Sequence, residues 1–355
     1  METLQFTEKL NYTGESIYVG IDVHKKNWGV CILTEHLEHK VFSQPPRPEV
    51  LANYLYRHFP NADYHSAYEA GFCGFWIDQQ LRALGISNLV VNPSDIPTTD
   101  KEKRRKNDRG DARKIAKELR NGNLEGIYVP DKDILQDRLL LRTRKKLLSD
   151  IKRCKNRIKS QLNFFGVKIP EEWDRPYWSK GFRYWLRTVL PEGTGDLLIH
   201  VQLAEMEEIE KQKKRLERQI VLLAKEKYKV PVDLLRSIPG IGILAAMTLI
   251  TELVDIDRFK TEDKFHSFLG LVPNIYASGE TEKVGRITKR HNAFLRPIII
   301  QAAWAAARLD PSLSLAYTRL CRTMRPNRAI IRIAKKLSNR VRYVWRHEVK
   351  YVICL

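Results

Sequence analysis

Four acidic residues in the first third of the chain could meet at one site: Asp22, Glu69, Asp108 and Asp111. Asp22 lies in an alternating apolar and polar segment that predicts a first β-strand, and Glu69 ends a later strand-like segment. Asp108 and Asp111 lie three residues apart at the predicted start of a helix, so they share one helix face. Clustered carboxylates repel one another unless cations lie between them, and two Mg²⁺ ions held in this way commonly serve phosphodiester chemistry. The four residues therefore predict a metal centre that acts on nucleic acid.

Each carboxylate also has a purely structural interpretation. Asp108 could stabilise a helix N-terminus by roughly 0.3–1 kcal/mol through the helix dipole. Glu69 could be a strand-end residue that surface amides hold. Asp22 is the hardest to explain in this way, because an acid between Ile21 and Val23 in a central strand is costly to bury without a partner.

Composition restricts the partners and the class of protein. The chain has 355 residues, 62 Lys and Arg against 42 Asp and Glu, a formal net charge of +20 and a pI of about 9.7. Such an excess of cations favours a polyanion, because binding to phosphates releases counterions. The apolar run 238–254 is interrupted by Pro239, two glycines and Glu252, so it predicts no membrane span. Five scattered cysteines without a Cys-x-x-Cys pair, and a start that lacks signal-peptide features, indicate a cytoplasmic protein with reduced thiols.

The elements that must position the acids alternate between strand and helix patterns. A hairpin-like meander of three strands comes first, and two strand–helix units follow it. This order predicts an RNase H-like fold with a mixed sheet, an α/β domain over residues 14–128. The remaining chain is predicted to be helical, so the fold class is α/β plus α.

Two long helices are predicted within residues 129–229. Apolar residues repeat at seven-residue and three-to-four-residue spacing in both, for example Leu140, Leu147 and Cys154 in the first helix. Two such helices favour an antiparallel coiled coil or a dimerising arm. The first helix carries a basic run that predicts contact with nucleic acid, the alternative being a solvated face: Arg153, Lys155, Arg157 and Lys159.

An aromatic-rich stretch joins the two helices and contains Trp173, Tyr177, Trp178, Phe182, Tyr184 and Trp185. These rings could stack on bases. Packing into a local core explains them equally well.

Residues 230–355 form a third predicted domain, which is mainly helical. Its Pro-Gly-x-Gly turn, with Gly240 and Gly242, lies between two short helices as in a helix-hairpin-helix, where backbone N–H groups approach a phosphate. A plain helix–turn–helix in a core is the alternative. Further along, Ser278 stands beside a glycine, and without a Ser-His-Asp spacing it reads as a turn residue.

Three segments near the acidic residues carry a family resemblance. The chain closely resembles the DEDD-type recombinases of the IS110 insertion-sequence family, also called bridge-RNA-guided transposases, and the related Piv-type DNA invertases. Segments 20–25, 68–71 and 108–112 resemble the family's three RuvC-like motifs, although Gly110 stands where a bulkier residue is common. The segments 237–242 and 278–289 resemble its C-terminal transposase domain.

The resemblance implies a RuvC-like domain in which the four acids bind Mg²⁺, with Mn²⁺ as the alternative ion. It also implies that Ser278 attacks DNA and forms a covalent phosphoserine link, and that a structured non-coding RNA pairs donor and target DNA. A serine hydroxyl is a weak nucleophile until a metal or base activates it. Arg286, Lys289 and Arg290, close to Ser278, could then clamp phosphates, or they could form a solvated basic loop.

The expected protein is therefore a prokaryotic, cytoplasmic transposase that associates with the nucleoid when active. If Ser278 and the carboxylates lie in separate domains, the working site forms by domain closure or between subunits, and the coiled-coil arms favour a homo-oligomer, dimer or tetramer. One rival is a metal-dependent nuclease or Holliday-junction resolvase that uses water. Another is a non-catalytic nucleic-acid-binding scaffold.

Overall fold

The chain forms two compact units that divide between Val129 and Pro130. They are seen in a computed structural model that describes residues 11–97, 108–278 and 281–353, without the side chains of residues 108, 109, 275–278 and 281–284. None of the helices in these ranges is long and apolar enough to cross a membrane.

The first unit is built on one mixed sheet. Its strands are β1 (Ser16–Val23), β2 (Trp28–Leu33), β3 (Glu38–Gln44), β4 (Asp63–Glu69) and β5 (Ser87–Val91). The order across the sheet is β3-β2-β1-β4-β5, with the meander β1–β2–β3 antiparallel and the pairs β1–β4 and β4–β5 parallel. The prediction of an α/β domain with a mixed sheet is confirmed.

Three helices cover the sheet: α1 (Pro48–His58), α2 (Trp76–Ala83) and α3 (Asp108–Arg120). Because successive strand residues point to opposite faces, β1 contributes to two cores. One core joins β1 to α1 and α2 through Ile17, Val19, Ile21, Leu51, Leu55, Ile77 and Leu81. On the other face, Ala112 and Ala116 of α3 are buried with Cys31 and Leu33.

The second unit begins with two long helices and a short one between them: α4 (Lys132–Phe164), α5 (Lys180–Thr188) and α6 (Thr194–Glu226). The helices α4 and α6 run antiparallel, as the ion pairs Arg144–Glu217 and Arg157–Glu205 require. Their shared core is formed by Ile151, Cys154, Ile158, Leu162, Trp178, Phe182, Ile199, Leu203 and Met206. The predicted long antiparallel helices are therefore present.

The apolar stripe of α4 differs from the predicted heptad at its N-terminal end. Leu140 and Leu147 are only half-buried, whereas Leu141 is buried in the C-terminal core of the unit. The reason is that this end of α4 packs against other helices as well as α6, so the buried face rotates by one residue.

The aromatic stretch divides between two environments. Trp178 and Phe182 are buried between the long helices, so local packing accounts for them. Tyr177 and Tyr184 are 80% and 70% exposed. Of the six rings in this stretch, only these two present most of their surface to solvent.

Seven further helices and strands follow α6 before the last helix. They are α7 (Lys229–Arg236), α8 (Ile243–Leu253), α9 (Glu262–Leu269), β6 (Pro273–Ser278), β7 (Thr281–Ile287), α10 (Leu295–Leu309) and α11 (Pro311–Cys321). The last helix is α12 (Pro326–Arg346). The mainly helical character predicted for this part of the chain is confirmed.

Candidate active site

Asp22 and Glu69 lie on neighbouring strands at one end of the sheet. The parallel register of β1 and β4 pairs Ile21 with Tyr68. Asp22 and Glu69 follow these residues directly, and so they share one face of the sheet. Adjacent strands are roughly 4.8 Å apart, a spacing at which two carboxylates can hold one cation. The side chain of Asp22 is 21% exposed, and Glu69 is exposed.

Gly20 allows α3 to lie directly on β1. A Cβ atom at this position would stand 2.0 Å from the carbonyl oxygen of Ala112 and 2.4 Å from the amide nitrogen of Ala116. Gly20 and Asp22 face the same way, because strand side chains alternate. The helix therefore covers the face from which Asp22 projects.

This contact brings the third acidic segment to the same face. Asp111 is half-buried and immediately precedes Ala112, the residue whose backbone meets Gly20. Asp108 is the first residue of α3, as predicted, but its side chain lies outside the described residues. Because positions three apart share a helix face, Asp108 and Asp111 lie on one side of the first turn of α3.

His24 lies next to Asp22. Its Nε2 atom is 3.1 Å from Asp22 Oδ2, and 46% of the His24 side chain is exposed. A protonated imidazole there would compete with a cation for the carboxylate, whereas a neutral one can hold the carboxylate in place by hydrogen bonding.

An ion pair that the sequence did not reveal anchors α3 to the sheet. Arg113 donates to both carboxylate oxygens of Glu38 on β3, at 2.7 and 2.8 Å. The hydrogen bond from Arg113 lowers the pKa of Glu38. The two residues are 75 positions apart in sequence, so no local pattern could have predicted the pair.

The donor atoms fit a hard divalent cation. All the candidate ligands are carboxylates, which suit Mg²⁺ and Mn²⁺ and disfavour softer ions. Among the side chains that the structure describes, which exclude that of Asp108, no three His, Cys, Asp or Glu residues lie close enough to hold a metal ion. The site is thus defined by its backbone: two adjacent strand ends and one helix start.

Ser278 is the last residue of β6 in a two-stranded hairpin. The strands β6 and β7 are antiparallel, and Ser278 pairs with Thr281 across the turn. Its side chain lies outside the described residues. The backbone places Ser278 beside a turn, as the sequence predicted. A catalytic role for its hydroxyl group stays a prediction.

The basic residues after the serine lie on an exposed segment. Arg286, Lys289 and Arg290 are all exposed. The amide of Arg290 donates to Thr288 Oγ1 at 3.1 Å, which fixes a tight turn. The segment therefore presents its cations outward from an ordered turn.

A buried carboxylate whose role the sequence did not reveal contacts the chain just beyond this segment. Glu252 on α8 is 4% exposed and accepts hydrogen bonds from Arg142 at 2.7 and 2.9 Å. Asn292 donates to Glu252 at 3.0 Å, and its own Oδ1 accepts from the first amides of α10. Burial opposes ionisation of Glu252, but the hydrogen bonds from Arg142 and Asn292 outweigh it and lower its pKa. The sequence did contain one sign of this buried ion pair, because Glu252 is the one charged residue in the apolar run 238–254.

Both the backbone conformation and the packing at position 240 require glycine. Its φ is +88°, and a Cβ atom would stand 2.3 Å from the carbonyl oxygen of Ala302 on α10. Its conformation and its neighbour both demand glycine, so this position supports the alternative of a turn packed in a core.

Gly242, in contrast, is open and begins α8. No atom lies within 4 Å of a Cβ placed there. It borders a cleft of about 810 Å³ that is also lined by Arg144, Lys145 and Arg236. A helix N-terminus with nearby cations suits an anion, but Glu252 also lines the cleft and Arg144 pairs with Glu217. Phosphate binding at Gly242 therefore stays a prediction.

The basic run on α4 is largely engaged within the second unit. Arg153 pairs with Asp150, and Arg157 donates to Glu205 Oε2 at 2.8 Å. Both arginines remain half-exposed or more. They can reach a phosphate only by giving up or sharing these carboxylates.

The two lysines of the run are held in the same way. Lys155 donates to the carbonyl of Pro176 at 2.9 Å and lies over the ring of Trp178, and burial lowers its pKa. Lys159 is 2.5 Å from Asp174 Oδ1. Nucleic-acid binding by this run stays a prediction, now with intramolecular competitors.

Two family models match the chain over both units. A DEDD-type transposase model of the IS110 group, described as "Transposase", matches residues 19–166. A second model, described as "Transposase IS116/IS110/IS902 family", matches residues 232–319. The first match includes all four candidate acids, and the second includes Ser278.

Individual relatives point the same way. The chain is 31% identical over 237 residues to putative transposase y4qE of Sinorhizobium fredii, covering 67% of this chain and 57% of that protein. It is 26% identical over 302 residues to the transposase for insertion sequence element IS1533 of Leptospira borgpetersenii, covering 81% and 84%. It is also 26% identical to the transposase for insertion sequence element IS1111A of Coxiella burnetii, covering 71% and 70%. The chain belongs to the IS110 family of transposases.

Proposed function

We propose that this protein is the transposase of an insertion sequence, which cuts and rejoins donor and target DNA. The observation that carries the proposal is the meeting of two parallel strand ends with a closely packed helix start, each bearing an acid. The matched family models support it. Asp22, Glu69, Asp108 and Asp111 would hold Mg²⁺ or Mn²⁺. Bound there, such cations stabilise charge on the scissile phosphate and on the leaving oxygen.

Ser278 supplies the nucleophile in this proposal. Its Oγ atom forms a bond to phosphorus, the phosphorus bond to the leaving deoxyribose oxygen breaks, and the hydroxyl proton ends on that oxygen through solvent. The phosphoserine ester conserves the bond energy, so a second DNA hydroxyl can displace the serine and rejoin strands without ATP. Arg286, Lys289 and Arg290 neutralise the phosphate as the strands exchange.

The remaining assignments follow from the family resemblance. The first unit takes the RuvC or RNase H-like fold as a catalytic domain over residues 14–128, and the division after Val129 supports that boundary. The arm, 129–229, serves oligomerisation and nucleic-acid contact, and the C-terminal domain, 230–355, carries the helix-hairpin-helix. A structured non-coding RNA guides the choice of DNA. The protein acts as a homo-oligomer in the cytoplasm, at the nucleoid.

Two variants test the metal and the serine separately. Asp22→Asn should abolish strand cleavage and the rise in melting temperature that Mg²⁺ gives the wild type, because the ion loses a ligand. Asp63→Asn is the matched control, since Asp63 is an exposed acid at the other end of β4, and it should keep both. Calorimetry with and without Mg²⁺ provides the readout that does not depend on activity.

Ser278→Ala should bind DNA and yield no covalent protein–DNA adduct on denaturing gels. Cleavage without an adduct in this variant would identify a nuclease that uses water. A wild-type protein that neither cleaves nor gains stability from Mg²⁺ would leave the non-catalytic scaffold as the better description.

A further inference from the structure

The last helix, α12, and the residue just before it carry an exposed line of basic residues. Arg325, Arg328, Arg332 and Lys336 are three or four positions apart, and all four are exposed. The opposite side of α12 is buried in the core through Ala329, Ile330, Ile333, Ala334, Leu337, Val341 and Val344. We call the four exposed cations the α12 stripe.

Among the side chains that the structure describes, no carboxylate neutralises the α12 stripe. The helix itself contains seven basic residues and no acidic one. Elsewhere on α12, Arg340 pairs with Asp310 and Arg346 with Asp257. Within residues 11–97, 110–274 and 285–353, no carboxylate forms an ion pair with a member of the stripe. The contrast with α4 is direct, because the cations predicted there to bind nucleic acid have partners in the same unit.

Helix stability does not account for the stripe. Like charges four residues apart destabilise a helix by roughly 0.2–0.5 kcal/mol for each pair. Arg325 and Arg328 also lie at the N-terminal end, where the helix dipole disfavours cations. The arrangement is therefore unfavourable to the free protein and becomes favourable when a polyanion binds.

The surroundings favour a phosphodiester backbone over a lipid surface. A helix that lies in a membrane interface needs a free apolar face, whereas the apolar face of α12 is buried in the core. Tyr343 is 60% exposed and lies two turns beyond Lys336 on the same side. An aromatic ring in line with cations can stack on an unpaired base.

We propose that the α12 stripe is a binding surface for the nucleic-acid backbone, with Tyr343 as a stacking position at its end. Four cations spread over roughly 16 Å of helix face a polymer with one charge per roughly 1.7 Å of duplex axis. This inference rests on the proposed function, which gives the protein DNA and structured RNA as partners.

The test replaces Arg325, Arg328, Arg332 and Lys336 with Gln in the full chain. We expect the slope of log affinity against log salt to fall by about three units, because each lost phosphate contact removes roughly 0.7–0.9. The melting temperature should stay unchanged or rise as repulsion is relieved. The control is Lys40→Gln and Arg57→Gln together, two exposed cations on β3 and α1 of the first unit that have no assigned part in nucleic-acid binding, and its slope should change by less than one unit.

Two ligands distinguish the source of the phosphates: a DNA duplex and a folded RNA of equal charge. A loss of slope with either ligand supports the stripe and identifies its partner. Wild-type slopes in the quadruple variant with both ligands would overturn the stripe while the transposase assignment stands. If the wild-type protein itself bound neither ligand, both the stripe and the proposed function would fail.

Discussion

Gly20 shows how one residue can fix the geometry of the candidate metal centre. Backbone atoms of α3 occupy the space that any Cβ at position 20 would need. The acid-bearing helix start can approach the strand of Asp22 only because this space is free. The same motif, Gly20-Ile21-Asp22, thus contains both the ligand and the residue that lets the other ligands come close.

Gly20→Ala should destabilise the protein by about 1–3 kcal/mol, because the helix must move or the core must strain. Urea denaturation of the full chain measures the change. Gly110→Ala on α3 is the matched control: no atom lies within 4 Å of its Cβ, and alanine is favoured over glycine within a helix by roughly 0.5–1 kcal/mol. Equal effects of the two substitutions would contradict the close packing at Gly20.

At the scale of elements, Glu252 joins three parts of the second unit. It links α8 to Arg142 on α4 and, through Asn292, to the start of α10. Asn292 lies between β7 and α10, shortly after Lys289 and Arg290. A buried carboxylate is thus joined, through Asn292, to the chain just after Lys289 and Arg290.

Glu252→Gln should cost about 3 kcal/mol at pH 7, because Arg142 is left without its countercharge. The pKa of Glu252 is lowered from its usual 4.5, so its contribution is complete above that value and is lost as the pH falls through the folded-state pKa. The stability difference between wild type and variant should therefore shrink below pH 4.5. Glu226→Gln, an exposed control on α6, should change stability by less than about 0.5 kcal/mol at any pH. If the stability difference between wild type and Glu252→Gln did not change with pH, the ionised Glu252 would not be the source of this stability.

The elements were largely predictable, and their contacts were not. Alternation and three-to-four spacing located β1, β4 and both long helices, because these patterns reflect which face is buried. The start of α3 at Asp108 also agrees with the sequence. The partners of the α4 cations were hidden, since Arg157 and Glu205 are 48 positions apart and ion pairs of this kind leave no period in the sequence.

At the scale of the whole molecule, the large positive charge is distributed between basic residues that form ion pairs and basic residues that, among the described side chains, do not. The α4 run forms pairs within the second unit, whereas no described carboxylate pairs with the α12 stripe. A net charge of +20 therefore says how strongly a polyanion is attracted, and only the structure says where it can bind.

We expect the wild-type affinity for a DNA duplex of arbitrary sequence to fall at least about 10³-fold between 50 and 200 mM salt, as for proteins with six or more phosphate contacts. Fluorescence anisotropy with the metal chelated measures it, so that Mg²⁺ does not compete for the phosphates. An affinity that hardly changes over this range would mean that the excess charge stays solvated.

The position of the Glu252 pair in the sequence has a consequence for synthesis of the chain. Arg142 leaves the ribosome 110 residues before Glu252, which takes roughly 5–20 s at about 5–20 residues per second. During that interval the first unit already has every strand of its sheet, while the long helix still lacks its buried partner. A product that ends early, between Val129 and Glu252, would carry the proposed metal-binding acids without Ser278. Such a fragment could hold the cation and could not form the covalent link.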